Sequence, residues 1–463
     1  MHIIWNDTSD TRAYDEVCWA NVFNLRRPKH RRPRGVTKPR CDEDILAAVE
    51  RAIQLGLRIA VRSGGHSFEA WSIQDNAIMV NLCEYKQVKV DTARRTATAT
   101  SSVTSIELNE ILAQDNLFFP GGHCPDVGLG GFLLQGGMGW NCGNWGWACE
   151  LVQGIDVITA EGKPVYCDIT QNSDLFWAAR GAGPAFPGIV TRFHLRVMPC
   201  PQSIYSSCYI FPHALYATAF RWAITLVDDL DTDTELTAKA YHQDLGPCFS
   251  IIITTFKHNF QDAMQALQPA HESRPAGTLS EWFCSPESMS SLYAALASIN
   301  PEGHRYSTDN GFFHDDPNID LVSNFEEAFL TLPHESSYAF WAPMRPWSRR
   351  NIAEMALSLQ GDHYFAVYTI WEDEKDDQRC QEWLRRTMKR ALKSSIGSYI
   401  GDSEFSHRDA RYWRDQNTER LMEIRRKWDP QSRIAGGYPS TLALPNGRAS
   451  VIEEPSRLDD EHM

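Results

Sequence analysis

From Gly121 to Trp140 the chain reads GGHCPDVGLGGFLLQGGMGW, and eight of these twenty residues are glycine. Glycine loses more backbone entropy on ordering than any other residue, so a run this dense needs a reason. Two reasons are physical: turns with φ > 0, and a backbone that must come close to a ligand. Backbone N–H groups left free in such turns suit a phosphate or pyrophosphate. The spacing is not G-x-G-x-x-G, and no G-K-[ST] follows, so neither the dinucleotide fingerprint nor a Walker loop is present. A second glycine turn lies upstream, Arg62-Ser63-Gly64-Gly65-His66-Ser67. It follows Arg58-Ile59-Ala60-Val61, which reads as a strand. Two glycine turns therefore carry one nucleophilic side chain each, His66 and Cys124.

The flanking sequence predicts what holds these turns. Ile45, Ala48, Val49, Ala52 and Ile53 recur on one helical face, with Asp42 as the expected cap and Gly56 as the stop. Strands are expected at 58–62, 78–81, 88–90 and 96–100, and a helix at 105–113. After the glycine run comes a hairpin, 155–160 and 165, with Glu161-Gly162 in its turn. Ile189, Thr191, Phe193, Leu195 and Val197 alternate as a half-buried strand. Trp19 and Phe23 anchor the polar, proline-rich start. Beyond residue 200, strands are expected at 204–211, 235–242, 249–256, 337–342 and 363–371. Helices are expected at 214–227, 259–267, 286–298 and 350–360. This pattern reads as an antiparallel sheet with helices on one side, an α+β arrangement. A last helix is expected at 408–428, stopped by Asp429-Pro430. The final 25 residues read as a polar surface cover.

Charge and cysteines exclude several function classes. The 463 residues carry 45 basic and 59 acidic side chains, a net charge of −14, which argues against nucleic acid or an anionic membrane as partner. The basic run Arg26–Arg34 reads as a solvated edge, and Asp228–Asp231 and Glu372–Glu374 as solvated acidic loops. No apolar stretch is long enough for a transmembrane helix. The N-terminal residues lack a basic region followed by an apolar core, so no secretory signal is read and an intracellular, cytoplasmic location is expected. The twelve cysteines show no C-x-x-C and no metal spacing, and most are expected as free thiols.

The loop R-x-G-G-H-S followed by G-x-C-P-x-V-G resembles the berberine-bridge-like branch of the vanillyl-alcohol-oxidase, or PCMH-type, flavoproteins. The likeness continues through Trp147–Val152, Ile155–Gly162, Asp174–Gly181 and Gly188–Thr191, and returns at Asn417–Leu421 before Asp429-Pro430. It implies a two-domain α+β fold. Residues 1–200 would form the FAD-binding domain and 201–390 the substrate domain, while 391–463 would complete the FAD domain. It implies FAD bonded covalently to both His66 and Cys124, an open active site, a small-molecule substrate and molecular oxygen as acceptor. Hydride would pass to the flavin from an alcohol or activated C–H of a carbohydrate or secondary metabolite. Carried over by position, the cofactor contacts are Arg62, Ser63, Gly64, Gly65, His66, Ser67, Gly122, Cys124, Val127, Gly128, Gly131, Gly136, Gly139, Trp140, Ile189, Val190 and Asn417. The chain departs from the pattern at Gln135, which stands in a glycine place. It departs again before Ile189, where Gly181–Gly188 lacks the family's asparagine and carries one extra residue.

The proton-handling residue follows from a further departure. Where the family carries Y-x-N-Y, whose second tyrosine often acts as base, this chain has Tyr399-Ile400-Gly401-Asp402. A carboxylate within hydrogen-bond reach of a substrate hydroxyl serves as a general base. Asp402 and Tyr399 are the catalytic candidates, with Tyr306 and Asp309 from the polar stretch 304–310. The alternative for Asp402 is a turn residue, since Gly401-Asp402-Ser403 has turn composition. Two other functions stand beside the oxidase: an FAD-linked dehydrogenase with a non-oxygen acceptor, and an NAD(P)-dependent α/β dehydrogenase. The last would need a G-x-G-x-x-G unit that the sequence lacks.

Overall fold

The computed structural model describes residues 2–7, 11–243 and 246–436. The expected surface cover of the last 25 residues lies outside the described residues. Two five-stranded sheets dominate the first half, beside a two-stranded pairing of Leu117–Phe118 with Met198–Pro199. One has the order Ile3–Trp5, Gly35–Thr37, Ala77–Asn81, Arg58–Arg62, Ile434–Ala435. All its pairs are parallel except that of the first strand. Helix Asp42–Gln54 seals one face by burying Ile45, Ala48, Val49 and Ala52 against Ile59, Ile78 and Val80. Two details of this helix differ from expectation. Ile53 is 40% exposed, because the stripe is narrower than five residues. The cap position is Cys41, and the Asp42 carboxylate instead accepts from Tyr85 Oη at 2.9 Å and Arg192 Nη1 at 2.7 Å.

The second sheet is antiparallel, in the order Val88–Asp91, Thr96–Thr100, Gly188–Arg196, Val152–Thr159, Pro164–Cys167. Helix Ser105–Ala113 packs beside it, opened by a reciprocal cap in which Thr104 and Glu107 satisfy each other's backbone N–H. Tyr412, Trp413, Leu421 and Ile424 join the core under this sheet. The closing helix runs Asp415–Trp428 and not from 408. Upstream of it, Arg411 gives its carbonyl to Ser398 N, and Arg408 grips Asp309, so this stretch makes tertiary bonds in place of helical ones.

The third sheet has seven antiparallel strands in the order Ser280–Glu287, Ser203–Pro212, Gly246–Lys257, Thr234–Gln243, Tyr338–Pro343, His363–Trp371, Arg305–Phe313. One face is covered by Tyr216–Leu226, Phe260–Ser273, Leu321–Leu330 and Asp377–Ala391 around a buried aromatic cluster. The other face looks toward the glycine loops, flanked by helix Met289–Ile299. The helix expected at 350–360 is absent. Ala356 N and Leu357 N bond to the carbonyls of Trp177 and Arg180, so this segment is a strap pinned to the first half. The basic run is not a free solvated edge. Arg26 pairs with Glu404, Lys29 with Glu374 and Arg32 with Asp15, while Arg31 donates to the Glu69 carbonyl. None of the twelve cysteines forms a disulfide. Among the described residues no helix is long and apolar enough to cross a membrane.

Candidate active site

The parallel strand Arg58–Arg62 delivers its loop at the edge where the glycine run returns. The two loops touch backbone to backbone. A Cβ built on Gly64 would lie 2.6 Å from Gly128 N, and one on Gly128 would lie 2.9 Å from Gly64 N. Gly65 has φ +85, a conformation that side chains disfavour, and a Cβ there would lie 1.8 Å from the Asn21 carbonyl oxygen. The glycines thus let three chain segments stack without side chains between them. His66 Nε2 lies 3.0 Å from Asp126 Oδ2, a bond that ties the first loop to the second. Burial raises the Asp126 carboxyl, but its hydrogen bond and charge interaction with His66 outweigh that and hold it below the usual carboxylate range. The His66 ring stacks on Phe23 at 4.7 Å.

Above these loops is a cavity of about 800 Å³. It is lined from below by Arg62 to Ser67, Gly122, Cys124, Val127, Gly128, Gly131, Trp140 and Val190, and from above by the seven-stranded sheet. Tyr399 and Asp402 reach it from the returning C-terminal segment. Most of the residues singled out in the sequence are therefore brought to one place. Cys124 opens toward the cavity yet sits deep enough that burial, followed by the charges of Asp126 and Asp402, pushes its thiol up to about 12.

Six of the singled-out residues, Asp309 among them, do not line the cavity. Gly136 and Gly139 serve close packing: a Cβ on Gly136 would meet Leu357 and Trp147 at 3.3 Å, and one on Gly139 would meet the Pro120 carbonyl oxygen at 2.1 Å. Ile189 is buried between the parallel sheet and its helix. Asn417 points away and donates to the Met355 carbonyl at 3.0 Å, holding the strap. Tyr306 lies behind the wall. Its hydroxyl donates to the Pro301 carbonyl at 2.5 Å, and its ring packs on Phe23 and Phe68. Arg62 borders the cavity, but its guanidinium is committed to the carbonyls of Ala20 and Cys18 at 2.7 Å and to Ser72 Oγ at 3.1 Å. Burial lowers it to about 10. It fastens the N-terminal segment, as Asp309 fastens Arg408.

Asp402 is the best-defined acid–base group. Asn310 holds its segment by donating to the carbonyls of Tyr399 at 2.9 Å and Asp402 at 2.8 Å, and by accepting from Tyr399 N at 2.7 Å. The turn composition of Gly401-Asp402-Ser403 is real, and the turn aims the carboxylate into the cavity. Tyr364 Oη donates to Asp402 Oδ2 at 2.7 Å, and the Tyr368 hydroxyl also favours the charged carboxylate. Burial raises Asp402 above the ordinary carboxylate range; the two tyrosines and the nearby His123 temper that rise. The result is a carboxylate whose basicity is increased while it stays hydrogen-bonded. The Tyr399 hydroxyl faces Met138 N at 3.4 Å, and burial holds it protonated.

Sequence reading passed over Tyr364, Tyr368, His123 and Lys239, all of which line the cavity. A signal existed. Tyr364 and Tyr368 stand on the same face of strand His363–Trp371, and Lys239 stands on the polar face of an alternating strand.

Comparison with known proteins adds to this geometry. A family model described as FAD binding domain matches residues 33–168, and one described as Berberine and berberine like matches residues 398–432. The chain is 37% identical over 442 residues to the FAD-linked oxidoreductase janO of Penicillium janthinellum, covering 94% of this chain and 97% of that protein. It is 38% identical over 442 residues to the FAD-linked oxidoreductase nodO of Hypoxylon pulicicidum, with the same coverage of 94% and 97%. Among solved structures, 6-hydroxy-D-nicotine oxidase from Arthrobacter nicotinovorans matches with a TM-score of 0.80 at 20% identity, covering 94% of this chain and 96% of that one. Physcomitrella patens BBE-like 1 matches with a TM-score of 0.80 at 18% identity, covering 95% and 96%. At these identities the solved structures show the shared fold.

Proposed function

Since this chain belongs to the berberine-bridge-like FAD-linked oxidoreductases, we propose that it is an oxidase whose FAD is bonded to both His66 and Cys124 and whose base is Asp402. The observation that carries this reading is the convergence of those three side chains on one cavity. The residues fit the cofactor. A Cβ on Gly131 would meet nothing within 4 Å, so this glycine faces the open cavity floor, and the touching Gly64 and Gly128 leave the backbone bare beside it. FAD, when bound, supplies the two-electron acceptor for the substrate C–H.

The chain's own residues do the rest. His66 is held by Asp126 and stacked by Phe23, so its ring is fixed before any cofactor arrives. Asp402 takes the substrate proton at its carboxylate, and Tyr364 holds that carboxylate in place. Phe68, Tyr338 and Phe340 wall the cavity with aromatic surface, which suits a ring-containing alcohol, carbohydrate or secondary metabolite. Oxygen is the final acceptor, giving hydrogen peroxide.

Acid precipitation of the purified protein tests the attachment. The pellet should stay yellow. His66→Ala and Cys124→Ala should each keep colour through the remaining bond, and the double variant should lose it. Free flavin in the supernatant of the unmutated protein would end the covalent reading.

A further inference from the structure

Strand Thr234–Gln243 turns Leu236, Ala238 and Ala240 into the helix-covered core. The period of two then places Glu235, Thr237, Lys239 and Tyr241 on the cavity. Two of these four are already engaged. Glu235 accepts from Asn141 N and lies 3.6 Å from His123 Nε2, and Tyr241 Oη accepts from Gln243 Nε2 at 3.1 Å. Lys239 makes no hydrogen bond or ion pair among the described residues. Its ammonium sits 5.8 Å from the centre of the Phe340 ring. Burial lowers its basicity, partly offset by the charge of Glu235. An ammonium has three donors, and Lys239 presents them to the open cavity, where a ligand that displaces water must meet them. The guanidinium that borders the cavity floor, Arg62, is consumed by backbone carbonyls.

Register locates Lys239 relative to the base. Lys239 lies opposite Phe340, and Phe340 opposite Ala366, which stands midway between Tyr364 and Tyr368. Two strand spacings amount to roughly 10 Å. The cavity thus has a proton acceptor held by Tyr364 and, two strands away from that tyrosine's strand, a free donor.

We infer that Lys239 is a specificity-determining residue that donates to a carbonyl or carboxylate oxygen of a ring-containing substrate whose reacting C–H sits beside Asp402. This deepens the proposed function and rests on its site. A wall that leaves a charged donor unpaired discriminates strongly against ligands that cannot pair it.

The test uses the purified holoprotein and isothermal titration calorimetry with three probes of similar shape: naphthoate, acetylnaphthalene and ethylnaphthalene. Lys239→Met should weaken binding of an oxygen-bearing probe about 10-fold or more, the range of a charged hydrogen bond. It should leave ethylnaphthalene unchanged, and Lys239→Arg should restore binding. Loss confined to naphthoate assigns a carboxylate, whereas loss for acetylnaphthalene as well assigns a carbonyl. Equal loss for all three probes, no loss for any, or no binding of any probe to the unmutated protein overturns the inference. Acid-fast flavin colour in the same preparations reports the covalent reading separately, so the two fail independently.

Discussion

Removing one hydroxyl from the wall of the cavity separates a catalytic carboxylate from a turn residue. Tyr364 Oη donates to Asp402 Oδ2 at 2.7 Å, and burial raises the carboxyl. The bond favours the charged form. A hydrogen bond to a charged group contributes about 1.5–3 kcal/mol, and about 1.4 kcal/mol corresponds to one pH unit. Tyr364→Phe should therefore move the acid limb of kcat/KM upward by about 1–2 pH units while the plateau rate is kept. The sign follows from the role: the base must be ionised, so activity is lost as pH falls through its pKa, and a variant with a higher pKa loses activity sooner. Asp402→Asn should instead cut the plateau by roughly 10²–10⁴-fold and abolish that limb. The assay is anaerobic bleaching of the flavin across a pH series, with a substrate found by a peroxide-detecting screen. An acid limb that stays in place in Tyr364→Phe, together with near-normal turnover in Asp402→Asn, would refute the assignment and leave the carboxylate a turn residue.

Two further outcomes are expected. In the family this chain resembles, the residue three after the linked cysteine gates oxygen, and Val127 holds that place and lines the cavity; Val127→Leu should slow reoxidation by oxygen and spare anaerobic reduction, as read by stopped flow. If the unmutated, reduced enzyme reacts with a quinone but hardly with oxygen, it is a dehydrogenase. Gly65→Ala places a methyl 1.8 Å from the Asn21 carbonyl oxygen at φ +85, and should cost on the order of 3 kcal/mol and lower flavin content. An unchanged Tm with full flavin load would show that the N-terminal segment yields freely.

Much of the scaffold was legible because it obeys local rules. Strands Arg58–Arg62 and Thr96–Thr100 and helix Ser105–Ala113 lie where periodicity puts them. Prediction failed where backbone bonds are made to distant segments. Residues 350–360 have helical composition, yet their N–H groups reach Trp177 and Arg180. Helix Asp377–Ala391 was missed beside an acidic cluster read as loop. The cluster itself is exposed, and the helix begins just beyond it: Asp373 accepts from Lys375 N, and Asp377 anchors Arg305 through 2.6 Å contacts. The basic run looked solvated because its partners, such as Glu404 and Glu374, lie more than three hundred residues away along the chain.

What the amino-acid order determined by itself was where the chain must bend tightly and which reactive side chains ride on those bends. Glycine density and period are local properties, so His66 and Cys124 could be singled out before any fold was known. Which polar groups face the cavity was decided only by tertiary structure. Arg62 and Lys239 are both cations on strands, yet one is consumed by the carbonyls of Cys18 and Ala20 while the other stands without a hydrogen bond over Phe340. Asp402 gains its raised basicity only when the packed sheets bury it, and Tyr364 and Tyr368 then temper the rise. Hydrogen-bond satisfaction and desolvation depend on neighbours distant in sequence, and those neighbours exist only once the sheets have packed.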